Sequence, residues 1–168
     1  MLIIVCGLPG SGKSSLSRSL KKVFSAVYLN SDVIRKQIFS SPAYTEDEKR
    51  RVYFEMANQA EKILAGRNVI VDATFYKKRY REIMKEAARD AGTRYIIIEC
   101  TLPEDVIRSR LAKRMEFRKG VSDAGYDVYL EMKGNFDPID ERHLTVDCSL
   151  PMEERVKIIR KFLGEKGG

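Results

Sequence analysis

The sequence predicts an α/β fold in which a parallel sheet carries helices on both faces. Short apolar runs rich in β-branched residues alternate with segments of helical periodicity along the 168 residues. The runs are almost continuously apolar, which is typical of strands buried on both faces. A glycine-rich segment joins the first run to the first helical segment, as a tight strand-to-helix connection requires.

Five runs are predicted to be strands: residues 2–6, 26–29, 69–72, 94–99 and 144–148. They are separated by segments long enough for the crossover connections that parallel strands need.

Helical segments occupy the intervals between these runs. The first follows the glycine-rich turn from Ser15, and Thr45 and Glu48 have the spacing of a capping box before the next. Pro103 and Pro151 are each expected to open a helix. After the capping box, apolar residues recur at helical spacing at Val52, Met56, Ala60 and Ile63.

The segment 116–142 departs from this alternation. It is rich in glycine and charge and has only a short helical stretch, around residues 126–133. Such a segment is predicted to be a mobile lid, with a lid region spanning about 110–142, or else an ordered connection to the last strand.

Composition indicates one globular domain over 1–168 in a reducing compartment. Apolar residues make up 43% of the chain, and no apolar run approaches the length of a membrane span. The N-terminus does not resemble a signal peptide, and the three cysteines (Cys6, Cys100 and Cys148) are expected to be reduced core residues, so a cytoplasmic location is predicted. The net charge of +7 suits an anionic partner but is equally compatible with a solvated surface.

The segment 7–14, Gly-Leu-Pro-Gly-Ser-Gly-Lys-Ser, is the most specific signal in the chain. Its glycines can adopt positive φ, so the loop can curl with its N–H groups around a phosphate at the following helix N-terminus. Lys13 is expected to reach the β- and γ-phosphates of a nucleotide, and the Ser14 hydroxyl to bind Mg²⁺. The predicted nucleotide-binding residues are Gly7, Leu8, Pro9, Gly10, Ser11, Gly12, Lys13, Ser14 and Ser15.

Acidic and basic residues follow the second run. In a parallel sheet Asp32 would share the ligand-binding rim with Lys13, and its carboxylate could accept the proton of an attacking hydroxyl. Arg35, in the same helical turn, could hold an anionic group of the acceptor. The alternative is that Asp32 or Ser31 caps a helix.

The third run ends in Asp72, a position from which a carboxylate can reach Mg²⁺ directly or through water, with Thr74 close behind. A basic and aromatic cluster, residues 76–81, comes next. With Arg79 among its members, it could track an acidic substrate or could form the solvated first turns of a helix.

Arg110 and Arg114 lie four residues apart, on one helix face, just before the predicted lid. There they could neutralise charge on a transferred phosphoryl group, with Arg114 the stronger candidate, or they could be surface arginines of an amphipathic helix.

Four motifs in this order resemble those of P-loop kinases related to polynucleotide 5′-kinase, a group that includes gluconate kinases, chloramphenicol phosphotransferase and seryl-tRNA kinase. The resemblance covers residues 1 to about 115 and lies in Gly-Leu-Pro-Gly-Ser-Gly-Lys-Ser, Asn-Ser-Asp-Val-Ile-Arg, Val-Asp-Ala-Thr and Arg-Leu-Ala-Lys-Arg.

The resemblance implies a three-layer P-loop NTPase fold with strand order 2-3-1-4-5. It also implies ATP and Mg²⁺ as cofactors, Asp32 as catalytic base, and Arg35 as a contact to an acceptor phosphate. Asp72 would organise the metal or the acceptor. Arg114 would be the lid arginine that contacts ATP, with Arg110 as the second candidate for that role.

The acceptor itself is less constrained. Arg35 and the basic cluster favour a polynucleotide 5′-hydroxyl, whether of RNA or DNA, whereas the small size favours a nucleoside, sugar acid or antibiotic. A nucleotide-dependent switch ATPase is a third interpretation, disfavoured because no guanine-reading Asn-Lys-x-Asp motif occurs and Asp32 and Arg35 would lack a role.

Overall fold

The predicted parallel sheet is confirmed in a computed structural model that describes residues 1–117 and 125–164. Within these residues the sheet has five strands in the order β2-β3-β1-β4-β5, as the family resemblance implied. Their bounds are β1 Leu2–Cys6, β2 Val27–Asn30, β3 Val69–Asp72, β4 Tyr95–Thr101 and β5 Leu144–Asp147.

The register aligns the carboxyl ends of the three strands that matter for the site. Leu2 pairs with Val69 of β3 on one side of β1, and Asn30 at the end of β2 pairs with Asp72 at the end of β3. The chain segments leaving these strands therefore meet at one edge of the sheet, where ligands bind in open α/β folds.

Helices follow each strand, as the periodicity predicts, and their bounds give the connections. They are α1 Lys13–Val23, α2 Ser31–Ile38, α3 Glu46–Leu64, α4 Lys78–Asp90, α5 Glu104–Phe117, α6 Tyr126–Gly134 and α7 Met152–Phe162.

The core forms two layers because alternate side chains of the strands point to opposite faces. On β1, Leu2 and Ile4 join the cluster that includes Met56 of α3, while Ile3 joins the one that includes Leu16 of α1. All five residues of β1 are fully buried, and burying one such side chain contributes about 1.5–3 kcal/mol. The central strand thus gives the loop after Cys6 a rigid base.

The predicted boundaries need small corrections. β2 begins one residue later than predicted and ends at Asn30, and β4 continues to Thr101 because its last residues pair with β5. Pro151 precedes α7 as its N-cap rather than forming its first turn.

The predicted lid region contains two helices in its described part. The helical stretch expected around 126–133 is confirmed as α6, and α5 continues to Phe117. Residues 118–124 lie outside the described residues, so a mobile lid stays a prediction. Among helices within 1–117 and 125–164, none has the length and apolar character needed to cross a bilayer.

Candidate functional site

A cavity of about 510 Å³ opens at the carboxyl edge of the sheet. The segments after β1, β2 and β3 line it, together with parts of α3, α5 and α6. Of the predicted site residues it brings together Lys13, Ser14, Asp32, Arg35, Asp72, Thr74, Arg110 and Arg114.

The glycine-rich loop has the curled conformation that the sequence predicts. Gly7, Gly10 and Gly12 have φ values of 133°, 82° and 99°. A Cβ atom on Gly7 would lie 2.4 Å from the carbonyl oxygen of Cys100 on β4, so only glycine fits there. The close approach of the loop to β4, as well as its positive φ, therefore requires glycine at this position.

The N-terminus of α1 faces this loop. The helix begins at Lys13, and its first main-chain hydrogen bond runs from the N–H of Leu16 to the carbonyl of Gly12. The N–H groups before Leu16 have no acceptor within the helix, which makes this end suited to an anion. The Lys13 ammonium donates to the carbonyl of Leu8 at 2.8 Å, so the loop itself holds this cation close.

Asp32 is presented at the start of α2 without serving as the helix cap. The cap is Asn30, whose side-chain oxygen accepts from the N–H groups of Asp32 and Val33, both at 3.1 Å. The carboxylate of Asp32 is half-buried and lines the cavity. The alternative that Asp32 or Ser31 caps the helix is thus wrong, because Asn30 performs that function.

Arg35 is a buried cation in the cavity wall. Its side chain is 7% exposed and lies 3.7 Å from the Glu48 carboxylate, a long ion pair, and the guanidinium lies 4.8 Å from the centre of the Tyr44 ring. Within the described residues Nε and Nη1 have no hydrogen-bond acceptor. Because a buried donor without a partner is costly, an anionic ligand group at this point would satisfy it.

Thr45 caps α3 as predicted, through the N–H of Glu48 at 3.3 Å. The Glu48 carboxylate does not complete the predicted capping box. It accepts from the main chain of Ala43 and Tyr44 instead, which fixes the turn that carries Tyr44 beside Arg35.

Asp72 lies at the base of the cavity, 1% exposed, in a hydrogen-bond network that the sequence did not reveal. Its Oδ2 accepts from the hydroxyl of Tyr28 at 2.6 Å and from the side-chain amide of Asn30 at 3.0 Å. Burial, reinforced by the negative charge of Asp72, raises the pKa of Tyr28, so this hydroxyl stays protonated and donates.

Arg110 and Arg114 of α5 reach the cavity from the side of the loop. An Nη atom of Arg110 lies 3.6 Å from where a Cβ on Gly12 would be, although the residue is exposed, whereas Arg114 is half-buried. Arg110 is therefore placed beside the phosphate-binding loop, and Arg114 lines the same cavity.

The wall opposite the loop was largely missed by sequence reasoning. It consists of aromatic, apolar and charged side chains from α3, α6 and the segments between: Tyr44, Lys49, Tyr53, Tyr76, Val128, Glu131 and Met132. Lys49 donates to Glu46 at 2.8 Å and to the Tyr76 hydroxyl at 3.2 Å, and hydrogen bonding from Lys49 lowers the pKa of Glu46 to about 2. The wall thus combines flat rings with fixed positive charge.

The basic cluster is mostly engaged within the protein. Lys77 pairs with Asp137, and Arg79 pairs with Glu46 outside the cavity lining. The expectation that Arg79 binds substrate is therefore not supported, because its guanidinium is directed to a carboxylate on α3.

Arg81 is the most buried residue of the basic cluster, with 0% of its surface exposed. It donates to the carbonyls of Phe75, Asp137 and Pro138 at 2.9, 3.1 and 2.6 Å. It therefore ties the segment after α6 to the turn after β3.

We expect Arg81→Ala to lower the free energy of unfolding by about 3 kcal/mol, because three carbonyls lose their donor. The matched change Arg79→Ala removes an exposed ion pair with Glu46 and the contact of the guanidinium with Tyr80, and it should cost less than about 1 kcal/mol. Urea unfolding of both variants measures the difference, and equal losses would contradict the structural role of Arg81.

Comparisons with known proteins agree with this geometry. Residues 2–139 match a family model described as an AAA domain, AAA_33. L-seryl-tRNA(Sec) kinase of Methanococcus maripaludis is 28% identical over 120 residues, covering 68% of this chain and 46% of that protein. Shikimate kinase of Clostridium botulinum is 26% identical over 174 residues, covering 98% of each.

A solved structure of a candidate kinase from Chloroflexus aurantiacus is 25% identical, covers 97% of this chain and 95% of that chain, and has a TM-score of 0.75. An uncharacterized protein of Mycobacterium tuberculosis is 26% identical over 92% of this chain. The chain spans about a third of the length of that relative, 33%.

Proposed function

The chain belongs to the AAA_33 family of P-loop kinase domains, and we propose that it transfers the γ-phosphoryl group of ATP to a hydroxyl of a small anionic acceptor. The observation that carries this proposal is the shared cavity. The curled loop with Lys13 lines it, and so do Asp32 and Arg35.

In the proposed reaction the acceptor oxygen attacks the γ-phosphorus and the bond to the β,γ-bridging oxygen breaks, releasing ADP. Asp32 takes the proton of the acceptor hydroxyl. Lys13 and the N–H groups at the start of α1 stabilise the phosphate charges. Arg114, with Arg110, neutralises charge on the transferred group from α5.

The donor set at the base of the cavity fits Mg²⁺. Ser14 and Asp72 supply a hydroxyl and a carboxylate oxygen, the ligand types that Mg²⁺ prefers beside substrate phosphates. Mg²⁺ would neutralise charge on the β- and γ-phosphates. Asp72 would hold it directly or through a water molecule.

A compact acceptor is better supported than a polynucleotide end. Val128, Glu131 and Met132 of α6 form one wall of the cavity, where a nucleic-acid strand would need an open groove. The basic cluster of residues 76–81, which could have bound a nucleic-acid backbone, instead forms ion pairs within the protein, for example between Lys77 and Asp137. Shikimate kinase, which matches this chain over its full length, is named for a small-molecule acceptor.

A polynucleotide 5′-hydroxyl remains the second candidate. The observations that favour it are the net charge of +7 and the Arg35 Nε and Nη1 atoms, which have no hydrogen-bond acceptor within the described residues and would hold a phosphate of the strand as readily as a carboxylate.

The experiment that separates the two is phosphate transfer from labelled ATP. The protein is incubated in parallel with a 5′-hydroxyl oligonucleotide and with hydroxy acids, sugar acids and nucleoside monophosphates. We expect label on a small anion and none on the oligonucleotide. Label on the oligonucleotide, lost steeply as salt rises, would establish the second candidate instead. Absence of both nucleotide binding and ATP turnover would contradict the kinase proposal itself.

We also propose a cytoplasmic location. Its support is that Cys6, Cys100 and Cys148 are buried free thiols, as expected of proteins that fold in a reducing compartment.

A further inference from the structure

We infer that Tyr28 is a positioning residue that orients the Asp72 carboxylate towards a divalent cation. The inference rests on the proposed function, because it concerns the metal that would accompany the nucleotide. Tyr28 is on β2, below the cavity rather than in its lining.

The hydrogen bonds of the Tyr28 hydroxyl have only one consistent direction. A phenol has a single proton to donate. The contact with Asp72 Oδ2, at 2.6 Å, is the shortest, and only a donor can satisfy a carboxylate there. The Tyr28 oxygen therefore accepts from the Asn30 amide, at 3.2 Å.

Asp72 is restrained by the same hydroxyl. Its bonds from Tyr28 and Asn30 both end on Oδ2, so one oxygen anchors the carboxylate and Oδ1 can serve the cation or its water. Asn30 is itself fixed as the N-cap of α2, the helix that presents Asp32. The network thus connects the Asp72 carboxylate to the element carrying the proposed base.

The test measures Mg²⁺ dependence of nucleotide affinity, which does not require catalysis. A fluorescent ADP analogue is titrated into the wild-type protein and into Tyr28→Phe, with MgCl₂ and with EDTA. Outer-shell partners of a metal typically contribute 10–100-fold to metal affinity, so we expect Tyr28→Phe to lower the gain in affinity due to Mg²⁺ by about tenfold or more. The affinity in EDTA should be unchanged, because Tyr28 does not line the cavity.

Tyr95→Phe is the matched control, because Tyr95 begins β4 at the other end of the sheet and contacts Lys85. It should leave the Mg²⁺ gain intact, whereas Ser14→Ala should abolish it. The Mg²⁺ gain is the ratio of two nucleotide affinities measured on the same protein. A smaller folded fraction in Tyr28→Phe would affect both affinities equally and cancel in the ratio.

The possible outcomes distinguish a failure of the inference about Tyr28 from a failure of the proposed function. If Mg²⁺ increases the nucleotide affinity of the wild-type protein and of Tyr28→Phe by the same factor, the role of Tyr28 is overturned and the proposed function is not. A wild-type protein that binds no nucleotide would overturn the proposed function and this inference together.

Discussion

Replacing Asp32 with asparagine is expected to reduce phosphate transfer by about 10²–10⁴-fold, the usual contribution of a general base. The amide has the shape of the carboxylate but cannot accept the acceptor proton. The helix should be unaffected, because Asn30 caps α2 by accepting from the main-chain N–H of Asp32, which the substitution retains. Nucleotide affinity should change little, since Asp32 is on α2, whereas the phosphates are expected at the loop and the start of α1.

The measurement is transfer from labelled ATP to the acceptor identified above, at saturating nucleotide, with nucleotide affinity determined separately. Asp47→Asn is a matched control, because Asp47 is an 86% exposed side chain on α3 that pairs only with a neighbouring arginine in the described structure. Undiminished transfer by Asp32→Asn would remove this residue from the mechanism. A parallel loss in Asp47→Asn would show that the effect is not local.

The sheet could be predicted because its signal is local. β1 and β3 are uninterrupted apolar runs, and their predicted bounds agree with the structure. The ends of β2 and β4 could not be placed as well, because they depend on partners. Asn30 is polar but is held in the ladder opposite Asp72, and Cys100 extends β4 by pairing with Val146 of β5.

The phosphate-binding half of the site was also predictable, since one continuous segment carries the turn, the cation and the helix start. The opposite wall was not. Lys49 and Tyr76 are 27 residues apart, and Glu131 comes from a third segment, so only the tertiary fold shows that they share a cavity. No pattern in the chain marks Tyr28 as the partner of Asp72, 44 positions away.

The basic cluster shows why charge along a sequence does not identify a binding surface. Arg79 and Arg81 are equally basic and two positions apart, yet one is exposed and the other fully buried. Which of them is buried is determined by carbonyl groups of residues 137 and 138, more than 50 positions further along the chain. The sequence alone could therefore not separate a structural arginine from a ligand contact in this segment.

Lys13→Ala is expected to weaken both nucleotide binding and turnover, with kcat/KM falling by about 10²–10³-fold, as when a single group stabilising transition-state charge is removed. The loss should not come from unfolding, because the hydrogen bond from the ammonium to the carbonyl of Leu8 is worth only about 1 kcal/mol. Lys21→Ala, an exposed lysine in the last turn of α1, removes the same charge from the same helix without touching the loop and should leave both quantities unchanged. Titration of a fluorescent ADP analogue and steady-state turnover of ATP measure the two effects. If Lys13→Ala had the same nucleotide affinity and turnover as Lys21→Ala, the glycine-rich turn would not be the phosphate-binding site. The roles proposed for Asp32 and Arg35 in phosphate transfer from ATP would then fail as well.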